Sequence, residues 1–371
     1  MLHDPYQALY VHIPFCKSRC VYCDFTTRAV SADSPEIDAY IEDVIMQIRR
    51  KSKAGELGQI KTIYLGGGTP SYIGLSRLSS LLYGISLSVI TTHEDMEWSM
   101  EANPESLSER MVKDIWAMGV NRLSIGVQSF DDAVLATLGR AHDADAARNA
   151  VRTAHERFEN VSVDLMCGIP GQSAESFRAS VREAIGLGVT HVSVYPLTIE
   201  PHTPFHNQVV AGIIDEPDDD VEAMHMQIAA EELARAGFER YEVASYARPG
   251  FACKHNIAYW TGVPYIGFGT SAATMTQNAE RRMRMKDGVV TDDLSRAQME
   301  AEDLMLGMRM TRGVTGERIA QAKRYLSGVD EVFAHLQEEG LVAPNQAGGF
   351  APTERGWLCG NDLYGEIFDL A

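Results

Sequence analysis

Short apolar, β-rich runs recur along the first half of the chain, each followed by a stretch whose apolar positions return every three to four residues. The runs cover residues 9–13, 62–65, 97–102, 122–126, 161–166 and 191–195. Between them lie amphipathic patterns over 35–53, 108–118, 131–158 and 173–187, with Pro, Ser or Asp near their starts, residues that begin helices. Strand and helix alternate in this way only when right-handed crossovers build a parallel sheet covered by helices, either doubly wound or closed towards a barrel.

The pattern changes after Glu200. Residues 210–220 read as a loop, with Pro217, leading to a helix over 221–236. A strand over 239–246 is expected to extend the sheet edge, and 262–269 reads as a Gly/Pro-punctuated loop. Helical patterns follow over 295–310, 315–325 and 329–339, then a hairpin from 340–342 and 349–353, then a last helix from Glu354. Helix, helix and hairpin together suggest a small α+β, winged-helix-like module, expected to pack over the barrel mouth. The resulting division is 1–215, a connecting and sheet-extending region over 216–290, and 291–371.

Composition changes this picture little. The 371 residues are 45% hydrophobic and 23% charged, as in ordinary globular proteins. The formal net charge of -18 argues against nucleic acid or an anionic membrane face as partners. One local basic run, Arg281, Arg282, Arg284 and Lys286, reads as a solvated face with only a weak claim on propionates or phosphate. The start MLHDPYQALY has neither a basic n-region nor an apolar h-region, so a cytoplasmic protein is expected.

Candidate chemistry is concentrated where strands end. Directly after the first run come Cys16, Cys20 and Cys23, spaced C-x3-C-x2-C. Three thiolates at this spacing can hold three irons of a [4Fe-4S] cluster and leave the fourth open to a cofactor. A zinc site completed by His12, Asp24 or a distant Cys is the alternative, although no second C-x2-C pair exists. After the second run stands Gly66-Gly67-Gly68-Thr69-Pro70, where backbone N–H groups could meet a carboxylate or an amino-acid terminus. Glu101, Gln128 and Asp164 stand in or just after the next strands, Arg140 further along, and a Tyr195–Glu200 group follows the sixth. In a barrel all these ends converge on one face. The aromatic stretch at 253–260 stands apart: His255 beside Tyr259 and Trp260 could meet a flat aromatic cofactor by axial ligation and stacking, with Cys253 as a rival ligand.

C-x3-C-x2-C followed by an aromatic, then GGGTP and a strand-end Glu, resembles the radical S-adenosylmethionine superfamily. YVHIPFC, GVQSF and D-x-x-x-G-I-P-G-Q resemble its oxygen-independent coproporphyrinogen III dehydrogenase-like branch. Dehydrogenases of that branch carry a further Cys two residues after the third, where this chain has Phe25. Its HemW-like haem chaperones lack that Cys and carry H-N-x-x-Y-W, here His255, Asn256, Tyr259 and Trp260, and the LTIEP seen at 197–201. The resemblance implies a partial parallel (β/α)6 TIM-like barrel and a [4Fe-4S] cluster on Cys16, Cys20 and Cys23. It implies S-adenosylmethionine held by Gly67, Gly68, Thr69, Glu101, Gln128, Arg140 and Asp164, with Tyr10 near the cluster, and haem as cargo at the H-N-x-x-Y-W motif. The implied partners are an apo-haem-protein acceptor such as a respiratory enzyme and an electron donor such as a flavodoxin. Peripheral membrane association would come through a partner, nucleic acid would play no part, and the chain would act as monomer or homodimer. The alternative it leaves open is a radical enzyme that decarboxylates coproporphyrinogen III or modifies another tetrapyrrole. One departure is Gly269-Thr270-Ser271-Ala272-Ala273, where relatives often place a histidine near Ala273.

Overall fold

The structure is a computed structural model, and it describes residues 3–89 and 95–371. Strands β1 (Ala8–Ile13), β2 (Thr62–Gly67), β3 (Glu97–Ala102), β4 (Arg122–Gln128), β5 (Asn160–Cys167) and β6 (His191–Pro196) lie side by side in chain order. Every adjacent pair is parallel. Buried residues such as Leu9, Val11, Leu65, Met100, Ile125, Val163 and Val194 tie these strands to their helices in one apolar core. Parallel strands covered on the outside bury almost every position, which explains why the runs read as continuous rather than alternating.

The helices form because each offers one apolar stripe. In α1 (Pro35–Lys53) the buried residues are Ile37, Ile41, Val44 and Ile48, one face of a helix. Burying each such side chain contributes about 1.5–3 kcal/mol, which outweighs the weak helix propensity of β-branched residues. Ser108, Asp143 and Ser173 cap the N-termini of α3 (Glu109–Ala117), α5 (Ala144–His155) and α6 (Ala174–Gly186) with their side chains.

Four expectations are corrected. The pattern at 131–158 is two helices, α4 (Asp132–Thr137) and α5, because Gly139 adopts φ 66 and breaks the rod. Within 262–269 lies a strand, β9 (Tyr265–Phe268), parallel to the free edge of β1. The strand expected over 239–246 is a hairpin of β7 (Glu239–Arg240) and β8 (Ser245–Ala247), with β8 antiparallel to β6. The basic run forms β11 (Arg281–Lys286), between β10 (Ala273–Gln277) and β12 (Val289–Ser295). Arg282 is only 2% exposed and bonds Glu302 at 2.6 Å and Asp303 at 2.7 Å, while Arg284 reaches Glu302 at 2.8 Å. These arginines are an internal ion-pair network, not a solvated patch.

The sheet therefore runs β12-β11-β10-β9-β1-β2-β3-β4-β5-β6-β8-β7, a partial parallel barrel with antiparallel strips on both edges. Residues after 295 build a second apolar cluster around Leu304, Phe333, Leu336, Leu363 and Ile367. This region packs against the β7–β8 hairpin: Val243 N donates to Arg309 O, Thr311 N donates to Tyr241 O, and Arg240 lies over Trp357. It does not roof the mouth, since none of its residues lines the cavity there. No helix among the described residues is long and apolar enough to cross a membrane.

Candidate cluster and cofactor site

Pro14 ends β1, and Phe15–Cys16 then pairs in parallel with Arg28–Ala29, so residues 17–27 loop out from the C-terminal end of the strand. Cys16, Cys20 and Cys23 are half-buried free thiols, and all three line one cavity of about 410 Å³. Each sulfur has a polar neighbour. The Thr69 hydroxyl donates to Cys16 Sγ at 3.6 Å, Arg140 Nη1 donates to Cys20 Sγ at 3.4 Å, and Cys23 Sγ lies 3.9 Å from Thr27 Oγ1. Among the described residues no three His, Cys, Asp or Glu side chains are already drawn together closely enough to hold a single ion. Three separate thiols around one cavity fit a polynuclear cluster.

The glycine turn after β2 exists to let two chain segments touch. Gly67 has φ 114, and a Cβ there would fall 2.5 Å from the His12 ring. A Cβ on Gly68 would lie 2.9 Å from Cys16 Sγ and 2.8 Å from Phe15 O. The same segment is pinned by Gly68 N donating to Ile13 O at 2.8 Å and Thr69 N donating to Phe15 O at 2.9 Å. Glu101 faces this turn, its carboxylate accepting from Tyr64 at 2.9 Å and from Gly67 N at 3.0 Å. Burial pushes its carboxyl up to about 7, so near neutral pH it is poised between carboxylate and acid. Asp164, also pushed up by burial, accepts from Ser124 at 3.2 Å.

Arg140 stands in the break between α4 and α5 and reaches across the mouth. Its Nη2 donates to Asn103 Oδ1 at 2.9 Å and Gly126 O at 2.6 Å, while Nη1 meets Cys20. Gln128 closes the arc at a β-irregularity with φ 66, a left-handed conformation that a non-glycine residue adopts at a cost of about 1–3 kcal/mol. Strain of that size fits a side chain aimed into a site.

Of the expected residues, Phe25, Gly67, Gly68, Glu101, Gln128, Arg140 and Asp164 line the cavity with the three cysteines. Phe25 is 69% exposed, at the rim. Tyr10 and Thr69 do not line it. The Tyr10 hydroxyl pairs with His12 Nδ1 at 3.0 Å, and Thr69 sits behind Cys16, also accepting from Asn103 at 2.9 Å. Tyr22, Tyr64 and Ser124 line the wall but were not singled out by sequence reasoning. For Tyr64 and Ser124 the available signal was strand parity, since Ser124 sits beside Glu101 in the β3–β4 register.

The aromatic motif has a different place from the one expected. It forms α9 (Lys254–Trp260), seated by Glu97 at the start of β3: Glu97 accepts from Lys254 N at 2.8 Å, His255 N at 3.1 Å and Cys253 Sγ at 3.3 Å. His255 is 1% exposed and stacks on Tyr64, with centroids 5.1 Å apart. Its Nδ1 bonds Thr62 at 2.9 Å and its Nε2 bonds Tyr259 at 3.2 Å. Burial and the nearby Arg122 hold its pKa down to about 3. Neither His255 nor Cys253 presents a free donor to a ligand; they lock α9 across the N-terminal ends of the strands. Asn256, Tyr259 and Trp260 instead line a second cavity.

Comparison with known proteins agrees with this geometry. The radical SAM superfamily model matches residues 10–184. The haem chaperone HemW of Bacillus subtilis (strain 168) is 34% identical over 379 residues, covering 97% of this chain and 98% of its own. HemW of Escherichia coli (strain K12) is 37% identical over 273 residues, 73% of this chain and 71% of its own. The solved structure of the radical SAM enzyme coproporphyrinogen III oxidase (HemN) from Escherichia coli superposes with a TM-score of 0.80 at 20% identity, covering 98% of this chain and 90% of that one, a likeness of fold. With HemW sequences matching end to end and the three cysteines gathered at one barrel mouth, the chain belongs to the HemW family of the radical SAM superfamily.

Proposed function

We propose that the protein is a haem chaperone that carries a [4Fe-4S] cluster and S-adenosylmethionine and passes haem to an apo-haem protein. The observation that carries this reading is the full-length match to proteins named as haem chaperones, in a chain with Phe25 where the dehydrogenases of the branch place a further cysteine. Cys16, Cys20 and Cys23 would hold the cluster. Gly67 and Gly68, with Glu101, Gln128, Arg140 and Asp164, would hold the cofactor. When bound, the pair supplies one-electron reductive cleavage of a sulfonium C–S bond, with an external donor such as a flavodoxin providing the electron.

The chain's own groups have definite tasks in this reading. Arg140 places a guanidinium against Cys20, countering negative charge on a ligated sulfur. Glu101, held by Tyr64 and Gly67, offers a carboxyl that accepts hydrogen bonds when ionised and donates one when protonated. Gly67 and Gly68 let the turn close onto His12, Phe15 and Cys16, which brings its backbone beside the cysteine loop.

A second reading, a radical decarboxylase of coproporphyrinogen III, is favoured by one observation: Glu101, Gln128, Arg140 and Asp164 all line the cavity with the three cysteines. The two are separated by assaying one anaerobically reconstituted preparation for haem binding and for protoporphyrinogen formation. Stoichiometric haem binding without turnover supports the chaperone; turnover with weak haem binding supports the enzyme.

A further inference from the structure

The break between α4 and α5 is fastened to the barrel mouth by two successive sets of contacts. Arg140 makes the first, reaching Asn103 Oδ1 at 2.9 Å and Gly126 O at 2.6 Å. His142, two residues on, makes the second with groups further along the same two segments. Its Nε2 bonds Val127 O at 3.1 Å, and its Nδ1 lies 3.4 Å from Oε2 of Glu105, in the turn Pro104–Ser106 after β3. The His142 side chain is wholly buried, and that of Glu105 is only 13% exposed.

The protonation of this second set follows from its partners. A carbonyl oxygen only accepts, so Nε2 donates to Val127 O, and a neutral ring would then turn the lone pair of Nδ1 towards a carboxylate oxygen. Neither of these two atoms has a hydrogen-bond partner among the described residues. Facing each other as acceptors they repel, whereas a proton on Nδ1 makes the contact an ion pair. Burial by itself would raise the Glu105 carboxyl. The hydrogen bond to His142, a backbone hydrogen bond and the Arg140 guanidinium nevertheless leave it below its ordinary value, so the proton rests on the ring. The flanking acids are turned elsewhere, Asp132 accepting from Ala144 N and Asp143 from Ala146 N, both at 2.8 Å.

We propose that His142 and Glu105 are positioning residues for the cluster site: the imidazolium, held between Val127 O and the Glu105 carboxylate, clamps the 140–142 segment to the loop after β3 and so keeps the Arg140 guanidinium 3.4 Å from Cys20 Sγ. Loss of the ring proton opens the clamp and frees Arg140 to leave the sulfur. The inference rests on the assignment of a cluster to the three cysteines.

The test is the rate at which the reconstituted full-length protein loses iron to a chelator, followed together with the electron paramagnetic resonance spectrum of the dithionite-reduced cluster. Both are measured between about pH 6 and pH 9, where an imidazole can titrate. In the parent, iron loss should quicken roughly ten-fold as the pH rises, the scale of one lost hydrogen bond to a charged group, and the spectrum should shift with it. Glu105→Gln supplies an amide that donates to a neutral Nδ1, so the clamp closes without a proton and iron should stay firmly held across the range. Glu105→Ala offers neither donor nor acceptor and should lose iron quickly throughout. Because the pair acts through Arg140, adding Glu105→Gln to Arg140→Gln should change neither rate nor spectrum. The same pH dependence in the parent and in Glu105→Gln would overturn the clamp while leaving the cluster in place, and so would a Glu105→Gln effect that persists without Arg140. A parent that takes up no iron at any pH would overturn the cluster assignment and the clamp with it.

Discussion

At the scale of single residues the most informative group is Glu101. Its folded-state pKa of about 7 lies above the usual carboxyl value, so the native protein binds more protons than the unfolded chain across that window. Its contribution to stability is present below the unfolded value of about 4.3 and is lost as pH rises through about 7. Glu101→Gln should therefore flatten the pH dependence of denaturant stability of the metal-free protein across that window, by roughly 1–3 kcal/mol. An unchanged profile would show that Glu101 is not the group titrating there. Arg140 is a different case, because its fork satisfies Asn103, Gly126 and Cys20 together. Arg140→Gln should destabilise the protein by about 1–3 kcal/mol and lower the iron retained after reconstitution. Iron content equal to the parent's would remove it from the cluster environment.

At the scale of elements, two junctions hold the site in shape. The first is the contact between the glycine turn and the cysteine loop. Gly68→Ala would drive a methyl group into Cys16 Sγ and Phe15 O, so it should cost about 1–3 kcal/mol and reduce cluster loading. Normal iron incorporation in that variant would show that the two segments can part without harm. The second junction is Glu97 under α9. Glu97→Ala strips the acceptor from two backbone N–H groups and from Cys253, and removes one of the carboxylates that face buried Arg122, a loss of about 2–4 kcal/mol by denaturant unfolding. A cost near zero would mean that α9 is held by packing alone.

These junctions also show what was legible in the chain. The six parallel strands and the convergence of Cys16, Gly67, Glu101, Gln128 and Asp164 could be read because parallel burial makes strands apolar and crossovers place their ends together. Arg140 could be named from the resemblance but not explained, since its position depends on a helix break that apolar periodicity runs straight through. His255 misled because an aromatic neighbourhood looks the same in sequence whether it meets a ligand or a core. Only the contacts with Thr62, Tyr64 and Glu97, all distant in the chain, decide between them. The basic run at 281–286 misled for a related reason, its acidic partners lying on another strand and a following helix.

For the whole molecule, the account joins a cluster cavity at the barrel mouth to an aromatic cavity beside the C-terminal region, with Tyr195 and Pro196 between them. Its central claim is that the first serves a chaperone that carries haem rather than an enzyme that consumes porphyrinogen. The most direct test is one anaerobic preparation of the reconstituted protein, divided between haemin titration and a coproporphyrinogen III turnover assay with excess reductant and S-adenosylmethionine. The account predicts saturable, stoichiometric haem binding and no protoporphyrinogen. Sustained turnover accompanied by weak haem binding would contradict it.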